Sequence, residues 1–300
     1  MADIRYISRK KLDVERYNQC IAGAVNSRIY AYAWYLDVVA NHWDVLVYGD
    51  YEAVMPLPWK RKYGIKYIIV PFWVQQLGVF SAVERLCRDV SLFTDAIPGY
   101  FMKITYQFND YNDVNLKSII RRPNYILALH EDYQTIFSGF SKMRQRIVRS
   151  VRQQSEGYTI KQDQGIEVIV QEYRRYIQSK SNHEDEDLTI FENLYQTAYQ
   201  RGQAFNLQVW EGEAFLSGVV FLKDNHRIYS LFLAQTERGK QANTTSLIYS
   251  HLIENYQQTP YVLDFEGSSL PGVAKFMKSF GAYNSPYVLW QETPLLKLFN

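Results

Sequence analysis

The order of predicted elements along this chain occurs twice, and that repetition restricts the fold more than any single motif does. Hydrophobic periodicity and turn signals place a strand at 4–7 and helices over 12–24 and 33–40. A hairpin of 43–48 and 52–59 follows, joined at Gly49-Asp50, then a third strand over 66–70 that continues through 75–79. A helix over 83–97 stops at Pro98-Gly99, and a strand at 100–106 leads through an Asn- and Asp-rich loop to strands near 117–120 and 125–129. The second half opens with a basic helix over 142–154, a strand at 158–162 and helices over 166–178 and 188–201. A hairpin of 206–210 and 214–222, a strand at 227–234 and a helix over 241–256 come next. A strand at 261–266, a helix over 271–280 and a strand at 283–291 complete the series. Only the order of elements recurs; no residue-level repeat accompanies it. The expectation is an α/β (α+β) chain of two tandem domains with mixed, largely antiparallel sheets. The first spans 1–135 and the second, which includes the basic helix, 136–300, with the boundary near 131–141.

Composition bounds the function. Across 300 residues, 47% are hydrophobic and 21% charged, which supplies two cores and leaves no case for disorder. A net charge of +2 gives no global reason to bind nucleic acid or membrane. The 25 tyrosines suit either a binding surface lined with rings or half-buried rings with wet hydroxyls. Cys20 and Cys87 lack metal-ligand spacing and fit a reducing compartment. His42, His130, His183, His226 and His251 are scattered, so no metal is expected. The N-terminus has no apolar signal core, and the longest apolar run, 67–74, is broken by Pro71 and too short to cross a bilayer. A cytoplasmic chain without a transmembrane segment is the expectation. No Walker loop, Rossmann glycine pattern or Gly-x-Ser-x-Gly elbow is present.

Two stretches carry a resemblance. One is Ser141-Lys142-Met143-Arg144-Gln145-Arg146-Ile147-Val148-Arg149-Ser150, opening the second half. The other is Leu263-Asp264-Phe265-Glu266-Gly267-Ser268, continuing through Gly272, Phe276 and Phe280-Gly281. Together with the doubled order, they resemble the Fem-type (FemABX-like) branch of the GNAT fold, whose members transfer amino acids from aminoacyl-tRNA onto peptidoglycan precursors. The likeness is nearest to that branch's uncharacterised bacterial acetyltransferase-like relatives. It implies two tandem GNAT-like (acyl-CoA N-acyltransferase) domains and a transferase with acyl-CoA or aminoacyl-tRNA as donor. The implied acceptor is an amine on a small molecule or cell-envelope precursor, with tRNA as a candidate partner.

Several residues could carry chemistry. Asp264 and Glu266 are two apart on a strand and so share a face. In the GNAT fold the donor enters a gap beside this strand, and Glu266, next to the loop, could take the proton of an attacking amine. The alternative is that one carboxylate pairs with Lys275 or Lys278 and the other caps the next helix. Gly267-Ser268-Ser269 before Pro271 reads as a turn into a helix N-terminus, either a plain cap or a phosphate site. Arg238-Gly239 precedes the long helix where acetyltransferases of this fold grip a pyrophosphate with backbone amides. Here Thr236 stands where Arg or Gln is expected, and Gln241 at the Gly/Ala position, with Ala242 one step later. Lys142, Arg146, Arg149 and Arg152 line one broad face of the basic helix, with Arg144 to the side. That face could contact phosphates or be a solvated connector. Trp59, Trp73, Gln75 and Gln76, with Phe72, form either an acceptor pocket or core packing. The leading reading is an acyl- or aminoacyltransferase of the Fem-like GNAT class forming an amide on an amine. A coenzyme A-dependent N-acetyltransferase and a non-catalytic binding protein on the same fold are the alternatives.

Overall fold

A computed structural model describes residues 4–176, 185–267 and 270–293. They form two compact units, one of residues 4–122 with 286–293 and one from within 123–285. The first unit contains β1 (Ile4–Ser8), α1 (Val14–Gly23), α2 (Ala33–Val39), β2 (His42–Tyr48), β3 (Ala53–Lys62), β4 (Ile65–Ile69) and β5 (Phe80–Ser81). It continues with α3 (Glu84–Arg88), α4 (Ser91–Asp95), β6 (Phe101–Phe108) and β7 (Ile119–Arg122). The second unit contains β8 (Tyr125–Ala128), α5 (Tyr133–Ser138), α6 (Lys142–Gln153), β9 (Thr159–Gln162), α7 (Glu167–Tyr176) and α8 (Asp185–Gln200). It continues with β10 (Ala204–Glu211), β11 (Ala214–Lys223), β12 (Arg227–Gln235), α9 (Glu237–Gln241), α10 (Thr244–Asn255), β13 (Val262–Asp264), α11 (Pro271–Lys278) and β14 (Tyr283–Asn284). The last described strand, β15 (Tyr287–Glu292), belongs to the first sheet.

The two sheets have the same plan. The first runs β1-β2-β3-β4-β6-β15-β7, with β5 on β3; the second, read the same way, runs β9-β10-β11-β12-β13-β8-β14. In each, the fourth and fifth strands form the parallel pair and the neighbouring pairs are antiparallel. The sixth strand of each sheet comes from outside the repeated order: β15 from late in the chain, β8 from its middle. Residues 125–129 therefore join the second sheet although the expected boundary lay near 131–141, and the expected strand at 283–291 divides between both sheets. The expected helix over 83–97 is also two short helices, separated where Asp89 turns its carboxylate onto the Ser91 amide.

Central strands are buried on both faces, which explains their near-continuous apolar runs. In β11, Gly218 faces α7, where a Cβ would lie 2.7 Å from the Ile169 side chain, while Val219 joins the core with Leu247 and Ile248 of α10. Among the described residues, no helix is long and apolar enough to cross a membrane.

The units differ beside their parallel pairs. In the first, the segment after β4 returns to the sheet: Leu77 donates to Gln107 O at 2.8 Å, and Asn109 donates to Leu77 O at 2.8 Å. Asn109 and Asn112, from the Asn- and Asp-rich loop, pin it through the Leu77 carbonyl and the Val79 backbone. In the second, β12 runs on from Ser230 to Gln235 past its last pair with β13, Tyr229 with Asp264. Leu231 is an extra residue in β12, between the pairs Phe221–Ser230 and Val220–Phe232, and such a bulge bends a strand away from its partner.

Candidate active site

A cavity of about 450 Å³ opens beside the N-terminus of α10, with Leu233 and Gln235, from the part of β12 beyond its pairs with β13, in one wall. Thr245 and Ser246 of α10, Lys240 and Asn243 before it, and Gly272, Val273 and Phe276 of α11 complete most of the lining. Asn243, at φ 57°, turns the chain from α9 into α10, so the helix expected over 241–256 begins at Thr244. Free amides in the first turn of a 12-residue helix favour a negative charge.

The remaining lining residue is Arg144 of α6. It is only 8% exposed and lies on the buried stripe of its helix with Val148 and Val151. Its Nε donates to Ser279 Oγ at 2.9 Å and Nη1 donates to Ser246 Oγ. The guanidinium also stands over the rings of Phe276 and Phe280, at 4.5 and 4.6 Å. Among the described residues, no carboxylate lies within 4.0 Å of it. Burial pulls its pKa down to about 10, so it stays charged at neutral pH. A buried cation without an anion is unfavourable, and a bound phosphate or carboxylate would compensate it.

The other cations of the helix lie elsewhere. Lys142, Arg146 and Arg149 are exposed, Arg149 standing 5.3 Å from the Phe137 ring centroid, and Arg152 pairs with Glu254 at 2.6 Å. The expectation set Arg144 aside, yet its spacing of four and seven residues from Val148 and Val151 put it on the apolar stripe, a signal present in the sequence.

Asp264 ends β13 and is 1% exposed. One oxygen accepts from Arg227 Nη1 at 2.8 Å and Asn124 Nδ2 at 3.2 Å; the other accepts from the Glu266 amide at 2.9 Å. Its partners are thus Arg227 and Asn124, in place of the Lys275 or Lys278 considered from sequence. The strand stops before Glu266, whose φ of 57° takes its side chain out of the alternation that put both carboxylates on one face. Gly267 follows against the chain at Pro123, where a Cβ would lie 2.0 Å from the carbonyl oxygen. The turn is held from both sides, which keeps Glu266 in a conformation that a non-glycine residue rarely adopts. Ser268 and Ser269 lie outside the described residues. The charge of Glu266 acts on Tyr249 of α10, whose hydroxyl shares a 2.6 Å hydrogen bond with Ser230. Burial first, and Glu266 after it, push that phenol up to about 12 and keep it protonated.

Removing the Asp264 carboxylate would break a largely buried ion pair with Arg227, whose side chain is 12% exposed, and leave Asn124 and the Glu266 amide without their acceptor. Asp264→Ala is expected to lower unfolding free energy by about 3–5 kcal/mol. Urea unfolding reads this directly, and a loss under about 1 kcal/mol would show that the pair does not hold the turn.

Gly239 serves packing: a Cβ there would lie 2.1 Å from Leu216 O, and its amide donates to the Thr236 cap at 3.0 Å. Arg238 pairs with Glu211 at 2.9 Å. In the first unit, Trp59 and the residues Trp73, Gln75 and Gln76 lie on different segments, β3 and the stretch after β4. Trp59 stacks on His42 and donates to Asp44. Trp73 and Gln76 are buried in the segment that returns to β6, where Gln76 bonds Gln75 and receives the Asp110 amide.

No protein-family model and no curated protein matches the chain. Solved structures do. FemX is similar with a TM-score of 0.66 at 12% identity, over 98% of this chain and 99% of that one. The C-terminal domain of an Agrobacterium fabrum protein described as a lysylphosphatidylglycerol synthetase gives 0.58 at 12% identity, over 95% of each chain. A tandem GNAT protein from the clavulanic acid biosynthesis pathway gives 0.56 at 12%, over 97% and 99%. At these identities the likeness is one of fold. The chain has the tandem GNAT fold found in FemX.

Proposed function

We propose that this chain is an acyl- or aminoacyltransferase that forms an amide on an amine acceptor, with its donor held in the second unit. The observation that carries this reading is Arg144, a buried cation with no carboxylate beside it among the described residues, facing a cavity between the end of β12 and the start of α10. A donor bearing phosphate would meet Arg144, Lys240 and the first amides of α10, and its acyl group would extend towards Glu266.

The acceptor nitrogen attacks the carbonyl carbon of the ester or thioester. An N–C bond forms, the C–O or C–S bond breaks, and Glu266 takes the proton that the nitrogen releases. The proton that Glu266 takes can pass to the departing oxygen or sulfur, which returns the carboxylate to its starting state. No covalent enzyme intermediate is required.

Between the two donors, the ester of an aminoacyl-tRNA is favoured, because the Gly239 amide that would grip a coenzyme A pyrophosphate already serves the Thr236 cap. A melting panel with coenzyme A, acetyl-coenzyme A and aminoacyl-tRNA tests this. A ligand that binds only the folded state must raise the midpoint, and aminoacyl-tRNA is expected to do so while coenzyme A leaves it unmoved. A rise with coenzyme A and none with charged tRNA would make the chain a coenzyme A-dependent N-acetyltransferase. No rise with any would favour a non-catalytic binding protein.

A further inference from the structure

We infer that the β3–β4 hairpin of the first unit docks on the surface of an anionic phospholipid bilayer, a property that does not rest on the transferase reading. From Ala53 to Val83 the sequence contains no acidic residue, while Lys60, Arg61, Lys62 and Lys66 fall within one short stretch of it. β3 is buried from Ala53 to Pro58 and exposed from Lys60 to Lys62, so the hairpin leaves the core as its charge begins. Tyr63 and Gly64, at φ 51° and 82°, make the tight turn. At the tip Tyr63 is 91% exposed and Ile65 51%.

These cations are not neutralised by the protein. Among the described residues none of the four has a carboxylate within 4.0 Å. Lys66 Nζ stands 4.3 Å from the Trp59 centroid and 5.2 Å from that of Tyr100, and Arg61 Nε donates to Gly64 O at 3.2 Å. An open hollow of about 510 Å³ has Arg61, Lys66 and Tyr100 in its walls and no acidic residue. An anionic headgroup would enter it and meet an ammonium already held in place by two rings.

A basic, aromatic hairpin would also attract RNA, but the rings here are poor stacking platforms. Trp59 has His42 stacked on it as well as the Lys66 ammonium, and Tyr100 meets Lys66, Tyr6 and Phe101, which leaves Tyr63 as a single exposed ring at the tip. Bases need free ring faces. An apolar tip of Tyr63 and Ile65 ringed by Lys and Arg instead matches the interface of a bilayer, where aromatic rings sit at headgroup level and cations meet anionic lipid.

Vesicle flotation with the full chain tests the inference. Vesicles of equal phosphatidylcholine and phosphatidylglycerol are expected to carry the protein, vesicles of phosphatidylcholine alone are not, and raised salt releases it. The double variant Lys60→Glu, Lys62→Glu should partition at least about tenfold more weakly. Tyr63→Asp, with all four cations kept, should also weaken partition, and both variants should melt where the unmodified chain does. Equal binding to both vesicle types, full binding by the double variant, or tighter binding to single-stranded RNA than to the mixed vesicles would overturn it.

Discussion

Glu266→Gln is expected to reduce turnover by about a hundred- to ten-thousand-fold, the contribution of a well-placed general base. Gln keeps the size of the side chain and removes its basicity. The turn itself is set by the backbone: the Glu266 amide on Asp264, φ in the left-handed region, and Gly267 against Pro123. The melting temperature should therefore hardly move. The pairing of outcomes decides the role. Turnover unchanged with a midpoint several degrees lower would make Glu266 a structural carboxylate and remove the base from the scheme. Asp264→Asn should have the smaller kinetic effect, because Asp264 positions the turn and is buried at 1% exposure.

Arg144→Met is expected to separate binding from stability. Loss of a charge-assisted contact to the donor should weaken its affinity by about ten- to a hundredfold. The free protein should be as stable as before or more so, since Met is apolar, fits beside Phe276 and Phe280, and removes an uncompensated buried cation. A purely structural arginine behaves otherwise: Ser246 and Ser279 would lose their partner and the midpoint would fall with no change in donor affinity. Calorimetric titration of aminoacyl-tRNA together with urea unfolding distinguishes the two.

The tandem fold was legible because both halves carry the same order of periodic segments, and periodicity is a local property. The basic helix, expected over 142–154, forms over Lys142–Gln153. What periodicity does not contain is the partner of a strand. β8 and β15 are short, and their exchange between the sheets depends on pairings made far along the chain, Ile126 with Asp264 and Val288 with Phe108. The same limit hid the contrast between the sheets. Residues 75–79 read as a strand, but only Leu77 bridges to Phe108, and the segment's use is to occupy the edge that stays open in the second unit.

At the candidate site, the sequence put Glu266 and Asp264 on one strand face and read Glu266, next to the loop, as the base. The difference between them comes from Arg227 and Asn124, which lie 37 and 140 residues away and draw in Asp264. Arg144 was passed over for a different reason. Five cations in one helix invite a reading by charge, whereas the position of Arg144 on the Val148–Val151 stripe required a reading by hydrophobic face. Charge marked the exposed residues; burial marks the one that faces the cavity.

The most direct test is amide hydrogen exchange with and without bound aminoacyl-tRNA. If the donor lies where Arg144, Lys240 and the start of α10 converge, protection will appear over 240–246 and 272–276, and Arg144→Met will abolish it at matched concentration. Protection confined to the first unit, or protection over 240–246 that survives the loss of Arg144, would contradict a donor site in this cavity.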